Sequence, residues 1–140
     1  MKILLAVDGS PFTKRMLAWL ATHEEWLTTP HEFTVLTVVP PIPPHAASMF
    51  PVDQLKSYYE DTAEEIFKPI RKFTAKHDLA TNFVSKVGHA PEVIAKVADK
   101  GKHDLIMMGS HGHSNLMNLI TGSVTTQVLA RSKLPVLLVR

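Results

Sequence analysis

The densest chemistry in the sequence lies between Met107 and Val124, which reads Met-Met-Gly-Ser-His-Gly-His-Ser-Asn-Leu-Met-Asn-Leu-Ile-Thr-Gly-Ser-Val. Three of the chain's six glycines are here, at Gly109, Gly112 and Gly122. Gly109 directly follows an apolar run and Gly122 directly precedes an amphipathic one. The arrangement is therefore strand, glycine-bearing loop, helix N-terminus. Glycine lets a backbone turn tightly and approach a ligand closely. Successive N–H groups in such a loop form an anion-binding concavity, and the unpaired N–H groups and dipole of the following helix add attraction for phosphate. The Ser123 hydroxyl can donate to a phosphate oxygen or cap the helix, and the two roles are compatible. The segment is not a Walker P-loop, because no Gly-Lys-Ser/Thr follows. It is not the dinucleotide fingerprint either, because Gly-x-Gly-x-x-Gly is absent.

Two further sets of side chains carry chemistry. Asp8 ends the first apolar run, in the sequence Asp8-Gly9-Ser10-Pro11. Its carboxylate can accept N–H bonds inside that turn, which is the simpler account, or it can reach a ligand. Of the eight histidines, His111 and His113 form the one cluster. Two rings two residues apart can meet one ion, but catalytic zinc sites use three protein ligands and structural sites four. No third ligand is evident nearby, so no metal site is assigned; protonated imidazoles beside a phosphate are the better use. Ser110 stands in Gly-Ser-His-Gly rather than the Gly-x-Ser-x-Gly nucleophile elbow. No base or orienting acid accompanies it, so no catalytic residue is assigned.

These residues need positioning elements. Five short apolar runs supply strands: Ile3–Val7, Phe33–Val39, Asn82–Val87, Asp104–Met108 and Pro135–Val139. Most are apolar on both faces, as buried parallel strands are; the third alternates and is expected at an edge. Helices are expected at Pro11–Leu27, with Ser10 as N-cap and Pro11 in the first position, and at Val52–His77, where Pro69 should kink or break the helix near Lys68. Two more open at Ala90 and near Ser123. The alternation predicts an α/β fold, a doubly wound five-stranded parallel sheet with helices on both faces. Such a sheet binds ligands beyond the carboxyl ends of its strands, where the strand order reverses. The long proline-rich loop from Pro40 to Pro51 lies at that end and reads either as a stiff connection or as a lid.

Length and composition bound the rest. One domain spanning residues 1–140 is expected. Cysteine is absent, which removes disulfide and thiol chemistry. The first apolar run is shorter than the roughly 7–15 residues of a signal peptide, and no run approaches the roughly 20 of a membrane span. The expected setting is soluble and cytoplasmic, with no membrane partner. The formal charge is only +2, and the adjacent basic pairs Lys14-Arg15 and Arg71-Lys72 lack interleaved aromatics, so no nucleic-acid partner is expected.

The spacing Gly109-x2-Gly112-x9-Gly122-Ser123 resembles the nucleotide-binding signature of the ATP-binding branch of the universal stress protein family. The resemblance covers the whole chain: Lys2–Ser10 is similar to the family's opening strand and turn, Asp104–Gly112 to its fourth strand and loop, and Pro135–Val139 to its closing strand. It implies the sheet order 3-2-1-4-5. It implies that Asp8 sits near the adenosine, that Val38 meets adenine through its backbone, and that Gly109, Gly112, Gly122 and Ser123 hold the ribose and phosphates. Ala6, Val7, Met108, His111 and Val124 contribute from neighbouring motif positions. The family often has Pro or Val where Ala6 stands, a mild departure. His113 and Asn115 fall in a variable stretch, and no role transfers to them. The ligand implied is ATP, ADP or AMP, with Mg2+ or Mn2+ bridging the phosphates. The activity implied is regulatory binding in the stress response, read by an unidentified protein partner. The alternatives are a slow ATPase or nucleotidyl-transfer enzyme, slow because no arginine finger is identifiable, and a nucleotide-free dimerisation module. The uncharged edge strand Pro135–Val139 implies a homodimer through that strand.

Overall fold

Successive residues of a strand face opposite sides of a sheet, yet Ile3, Leu4 and Leu5 are all inaccessible to solvent. The first strand must therefore be covered above and below. The computed structural model, which describes residues 1–113 and 121–140, shows how. Strands β1 (Lys2–Ala6), β2 (Glu32–Val39), β3 (Thr81–Val87), β4 (Leu105–Gly109) and β5 (Val136–Val139) form one parallel sheet in the order β3-β2-β1-β4-β5. On one face, Ile3, Leu5 and Val7 pack with Met16 and Leu20 of helix α1 (Pro11–Thr22) and with Phe67 and Ile70 of α4 (Val52–Lys76). On the other, Leu4 and Ala6 pack with Ile94 and Ala98 of α5 (Ala90–Lys100) and Val128 of α6 (Ser123–Arg131). The alternating third run lies at the edge, as its pattern requires.

Three details depart from the sequence reading. The first helical stretch is two helices, α1 and the short α2 (Glu24–Thr28), separated at His23. His23 leaves the helical conformation at φ −118° and ψ 77°. Its Nδ1–H donates to the Trp19 carbonyl at 2.7 Å and its ring stacks on the Trp19 indole at 3.9 Å. A side chain has thus satisfied a last-turn carbonyl, which ends a helix. The second helix is continuous through Pro69. An interior proline costs about 3 kcal/mol relative to alanine, but Phe67 and Ile70 on either side of it are buried against the sheet, each contributing about 1.5–3 kcal/mol. The packing wins. The Pro40–Pro51 loop contains a four-residue helix, α3 (Pro44–Ala47), and Ile42 N–H donates to the Tyr59 hydroxyl at 2.8 Å, tying the loop to α4. Among the described residues no helix is long and apolar enough to cross a membrane.

The core makes a first prediction. Ile106 on β4 is fully buried between α5 and α6, so Ile106→Ala is expected to cost about 2–5 kcal/mol of stability by cavity formation. The exposed Phe50, changed to Ala, is expected to shift it by under about 0.5 kcal/mol. Urea unfolding of the two variants beside the parent checks this, and similar midpoints for both would refute it.

Candidate functional site

β1 stops before its neighbours do. Ala6 pairs with Leu36 on one side and Met108 on the other, after which β2 continues to Val39 and β4 to Gly109. The last link is Val7 N–H to the Leu36 carbonyl at 2.9 Å. Main-chain groups alternate in direction along a strand, so those of Val38 face the same side as those of Leu36, where β1 has already turned away. A cleft of about 190 Å³ opens there, between the ends of β1 and β4 where the strand order reverses. All eleven residues that the sequence singled out line it: Ala6, Val7, Asp8, Val38, Met108, Gly109, His111, Gly112, Gly122, Ser123 and Val124. Its apolar wall is completed by Leu36, Ala90 and Ile94, and its polar rim by Thr13, His113 and Thr125.

Of those six, the sequence offers His113 alone, as the partner of His111 beside a phosphate; the other five were not foreseen. Leu36 and Ile94 were legible only as core residues, one alternate strand position from Val38 and one turn into α5. Ala90 arrives because α5 begins at the same end of the sheet. Thr13 had a local signal: it stands five residues after Asp8, across the start of α1, and the two side chains meet. Thr13 Oγ1–H donates to Asp8 Oδ1 at 3.0 Å, Ser10 N–H donates to the same oxygen at 2.9 Å, and Asp8 N–H donates to Thr13 Oγ1 at 3.2 Å. One carboxylate oxygen of Asp8 therefore holds the turn, made possible by Gly9 at φ +75°. The other, Oδ2, lies beside Gly112. Ser10 stands at the N-cap of α1, but its side chain makes no capping bond.

The glycine loop is tied down at both ends. Ser110 N–H donates to the Val139 carbonyl at 2.9 Å and Gly122 N–H to the Ser110 carbonyl at 2.6 Å. Thr125 Oγ1–H reaches the Gly109 and Ser110 carbonyls at 3.2 and 3.4 Å. Gly122, extended at φ −76° and ψ 168°, is the N-cap of α6, without a side-chain bond. Ser123 is consequently the first helical residue, not the cap. Its exposed hydroxyl makes no hydrogen bond among the described residues, which leaves it and the first-turn N–H groups available at the cleft. His111 Nδ1 lies 2.9 Å from Ser110 Oγ, its ring 5.0 Å from that of Phe12. His113 Nε2–H donates to the Asp8 main-chain carbonyl at 2.7 Å. Residues 114–120 of the motif, Asn115 among them, lie outside the described residues. Among those described, no group of three or more His, Asp or Glu is placed to hold a metal ion, and no residue of the Pro40–Pro51 loop lines the cleft.

The three motif glycines serve close approach. A Cβ on Gly109 would sit 2.6 Å from Phe12 Cβ, on Gly112 2.8 Å from Asp8 Oδ2, and on Gly122 3.2 Å from His111 Cα. Gly122 therefore makes room for the loop's own backbone. Gly109→Ala is expected to push α1 from the end of β4 and cost about 1–3 kcal/mol, whereas Ser123→Ala should change stability by under about 0.5 kcal/mol. Denaturant midpoints measure both; an unshifted Gly109→Ala would show that α1 yields freely.

Comparison with known proteins agrees with this architecture. The chain matches the sequence model of the Universal stress protein family over residues 1–140. It is 30% identical over 139 residues to universal stress protein Slr1230 of Synechocystis, an alignment covering 99% of this chain and 42% of that protein. It thus spans less than half the length of that relative. The solved structure of protein MJ0577, a Methanocaldococcus jannaschii universal stress protein, superposes with a TM-score of 0.84 at 29% identity, covering 99% of this chain and 94% of that one. Over 88 aligned residues, 63% of this chain and 54% of that protein, the identity is 34%. More distant neighbours of the same fold include an Arabidopsis thaliana family protein with AMP bound (14% identity, TM-score 0.70, covering 99% and 90%). An Archaeoglobus fulgidus universal stress protein is in complex with dAMP (20%, 0.64, covering 100% and 98%). With the family sequence model matched from end to end, the chain belongs to the universal stress protein family.

Proposed function

We propose that this chain is an adenine-nucleotide-binding regulatory protein of the cytoplasmic stress response. The observation that carries the reading is the cleft itself. Its apolar wall of Ala6, Val38, Ile94 and Met108 offers flat surfaces to a base, and the main chain of Val38 offers hydrogen-bonding groups to the base's edge. The first turn of α6 with Ser123 offers donors to phosphate. The Asp8 carboxylate stands between them, where a sugar hydroxyl would be held. The AMP and dAMP of the structural neighbours support adenine as the base. A Mg2+ or Mn2+ ion, if it accompanies ATP, is carried by the phosphates, since the described cleft supplies one carboxylate and no set of ligands. The reading is one of binding, with slow turnover as the alternative, and no catalytic residue is assigned.

Calorimetric titration of nucleotide-stripped protein with AMP, ADP and Mg-ATP tests this beside Ser123→Glu. A carboxylate at a helix N-terminus stabilises the fold while occupying the place of a phosphate. The parent is expected to bind at micromolar strength, and the variant to melt no lower and bind at least about tenfold more weakly. Absence of binding by the parent would overturn the proposal.

A second copy of the chain is the proposed partner of β5. Ile106 N–H takes the Pro135 carbonyl and Ser110 N–H the Val139 carbonyl, so alternation turns the main-chain groups of Val136 and Leu138 outward. Half-buried Val136, Leu137 and Leu138 form this edge with no charge among them, and such an edge is ordinarily covered. Light scattering at tens of micromolar is expected to give twice the 15.6 kDa chain mass; a monomer there would refute the pairing.

A further inference from the structure

From Leu105 to Ala130 the sequence contains no Asp, Glu, Lys or Arg. His111 and His113 are the titratable side chains of that stretch, and together with Asp8 they are the titratable side chains lining the cleft among the described residues. A phosphate at the start of α6 therefore has no fixed positive side chain lining its site, only backbone donors, hydroxyls and two imidazoles. We propose that His113, with His111 beside it, makes the cleft's affinity for a nucleotide phosphate proton-dependent, tightening as pH falls through the imidazole range. The inference rests on the nucleotide-binding reading above.

The tautomer of His113 carries the argument. Its Nε2 lies 2.7 Å from the Asp8 main-chain carbonyl, and a carbonyl only accepts, so Nε2 bears the hydrogen. In the neutral ring Nδ1 is then a lone pair, which repels a phosphate oxygen. Protonation converts that same atom into a charged donor, which attracts one. Nδ1 has no partner among the described residues, and the side chain is exposed at the cleft rim. The tether to Asp8 survives protonation, so the ring changes charge without leaving its place. His111, whose Nδ1 is held on Ser110 Oγ, adds a second charge on the same rim when protonated.

The surroundings modulate this without replacing it. The Asp8 carboxylate at the end of β1 is the one acidic group lining the cleft among the described residues, and its Oδ1 is committed to Ser10 and Thr13. From α1, the Arg15 guanidinium lies over the Phe12 ring at 4.8 Å, and Arg15 is not among the residues lining the cleft. α5 faces the cleft with Ala90 and Ile94, and α6 with Ser123, Val124 and Thr125, none of them charged. Glu92 of α5 is engaged by Arg131 at 3.7 Å and His89 at 3.9 Å.

The sign follows from linkage. A bound phosphate favours the imidazolium, so binding raises the histidine's protonation midpoint. Affinity is then greatest below the free midpoint and declines as pH rises through the bound one. The ligand's own phosphate works against this, losing charge below about pH 6, so parent and variant are compared with the same ligand.

AMP and adenosine are titrated at pH 5.5 and pH 8 into the full chain and into His113→Gln, whose amide can still donate to Asp8 but cannot ionise. The ratio of AMP affinity at pH 5.5 to that at pH 8 is expected to be roughly tenfold higher in the parent than in the variant, the effect of a midpoint raised by about one unit. Adenosine, lacking phosphate, should show no such preference in the parent. Equal AMP ratios in a variant that melts like the parent would overturn the proposal. Side-chain NMR of the parent decides independently of any variant: the His113 titration midpoint must rise when AMP is added, and an unmoved midpoint with AMP bound refutes the inference. If neither adenosine nor AMP binds at either pH, the nucleotide reading itself has failed.

Discussion

The early ending of β1 is the constraint on which the rest of the molecule depends. This strand is bonded on both edges and buried on both faces, so nothing in its interior can be polar. Where it stops, β2 and β4 run on with no strand between them. A gap between two continuing strands exposes main-chain groups that would otherwise be paired, and buried groups of that kind are costly unless satisfied. Every feature of the site answers that gap. The Asp8 turn closes it on one side, the Gly109–Gly112 segment crosses it on the other, and the apolar wall comes from residues that belong to the core of the face covered by α5 and α6.

The same gap explains the composition of the loop. Phe12 approaches Gly109 at the end of β4, Asp8 Oδ2 approaches Gly112, and the His111 backbone approaches Gly122, so a side chain at any of the three would displace a neighbour. Glycine there answers close packing, and none of the three adopts the left-handed backbone that Gly9 does. Phosphate chemistry and steric necessity converge on one residue type, and the sequence pattern alone cannot separate them.

How much was legible follows from whether the cause was local. The five strands were readable because runs such as Ile3–Val7 are apolar on both faces, and the edge position of β3 because its pattern alternates. The strand order and the eleven cleft residues came through the motif's resemblance rather than through periodicity. What escaped depended on tertiary contacts. Proline's helix-breaking tendency at Pro69 was overruled by Phe67 and Ile70 meeting the sheet. The break at His23 came from one imidazole reaching back to Trp19. Ser123 read as a cap, but an extended Gly122 took that position. Ala90 and Ile94 join the cleft only because α5 is laid across β2, and the hold on His113, itself legible as an imidazole, comes from a carbonyl 105 residues away.

The two oxygens of Asp8 lead separate lives, one inside the turn that starts α1 and one beside the loop that borders the cleft. In genetic terms position 8 is pleiotropic. A truncating substitution there removes the acceptor for Ser10 and Thr13 together with the charge beside Gly112, so a lost phenotype would speak of architecture and of ligand at once. Only a replacement that preserves Oδ1 and alters the other atom, as asparagine does, separates the two messages.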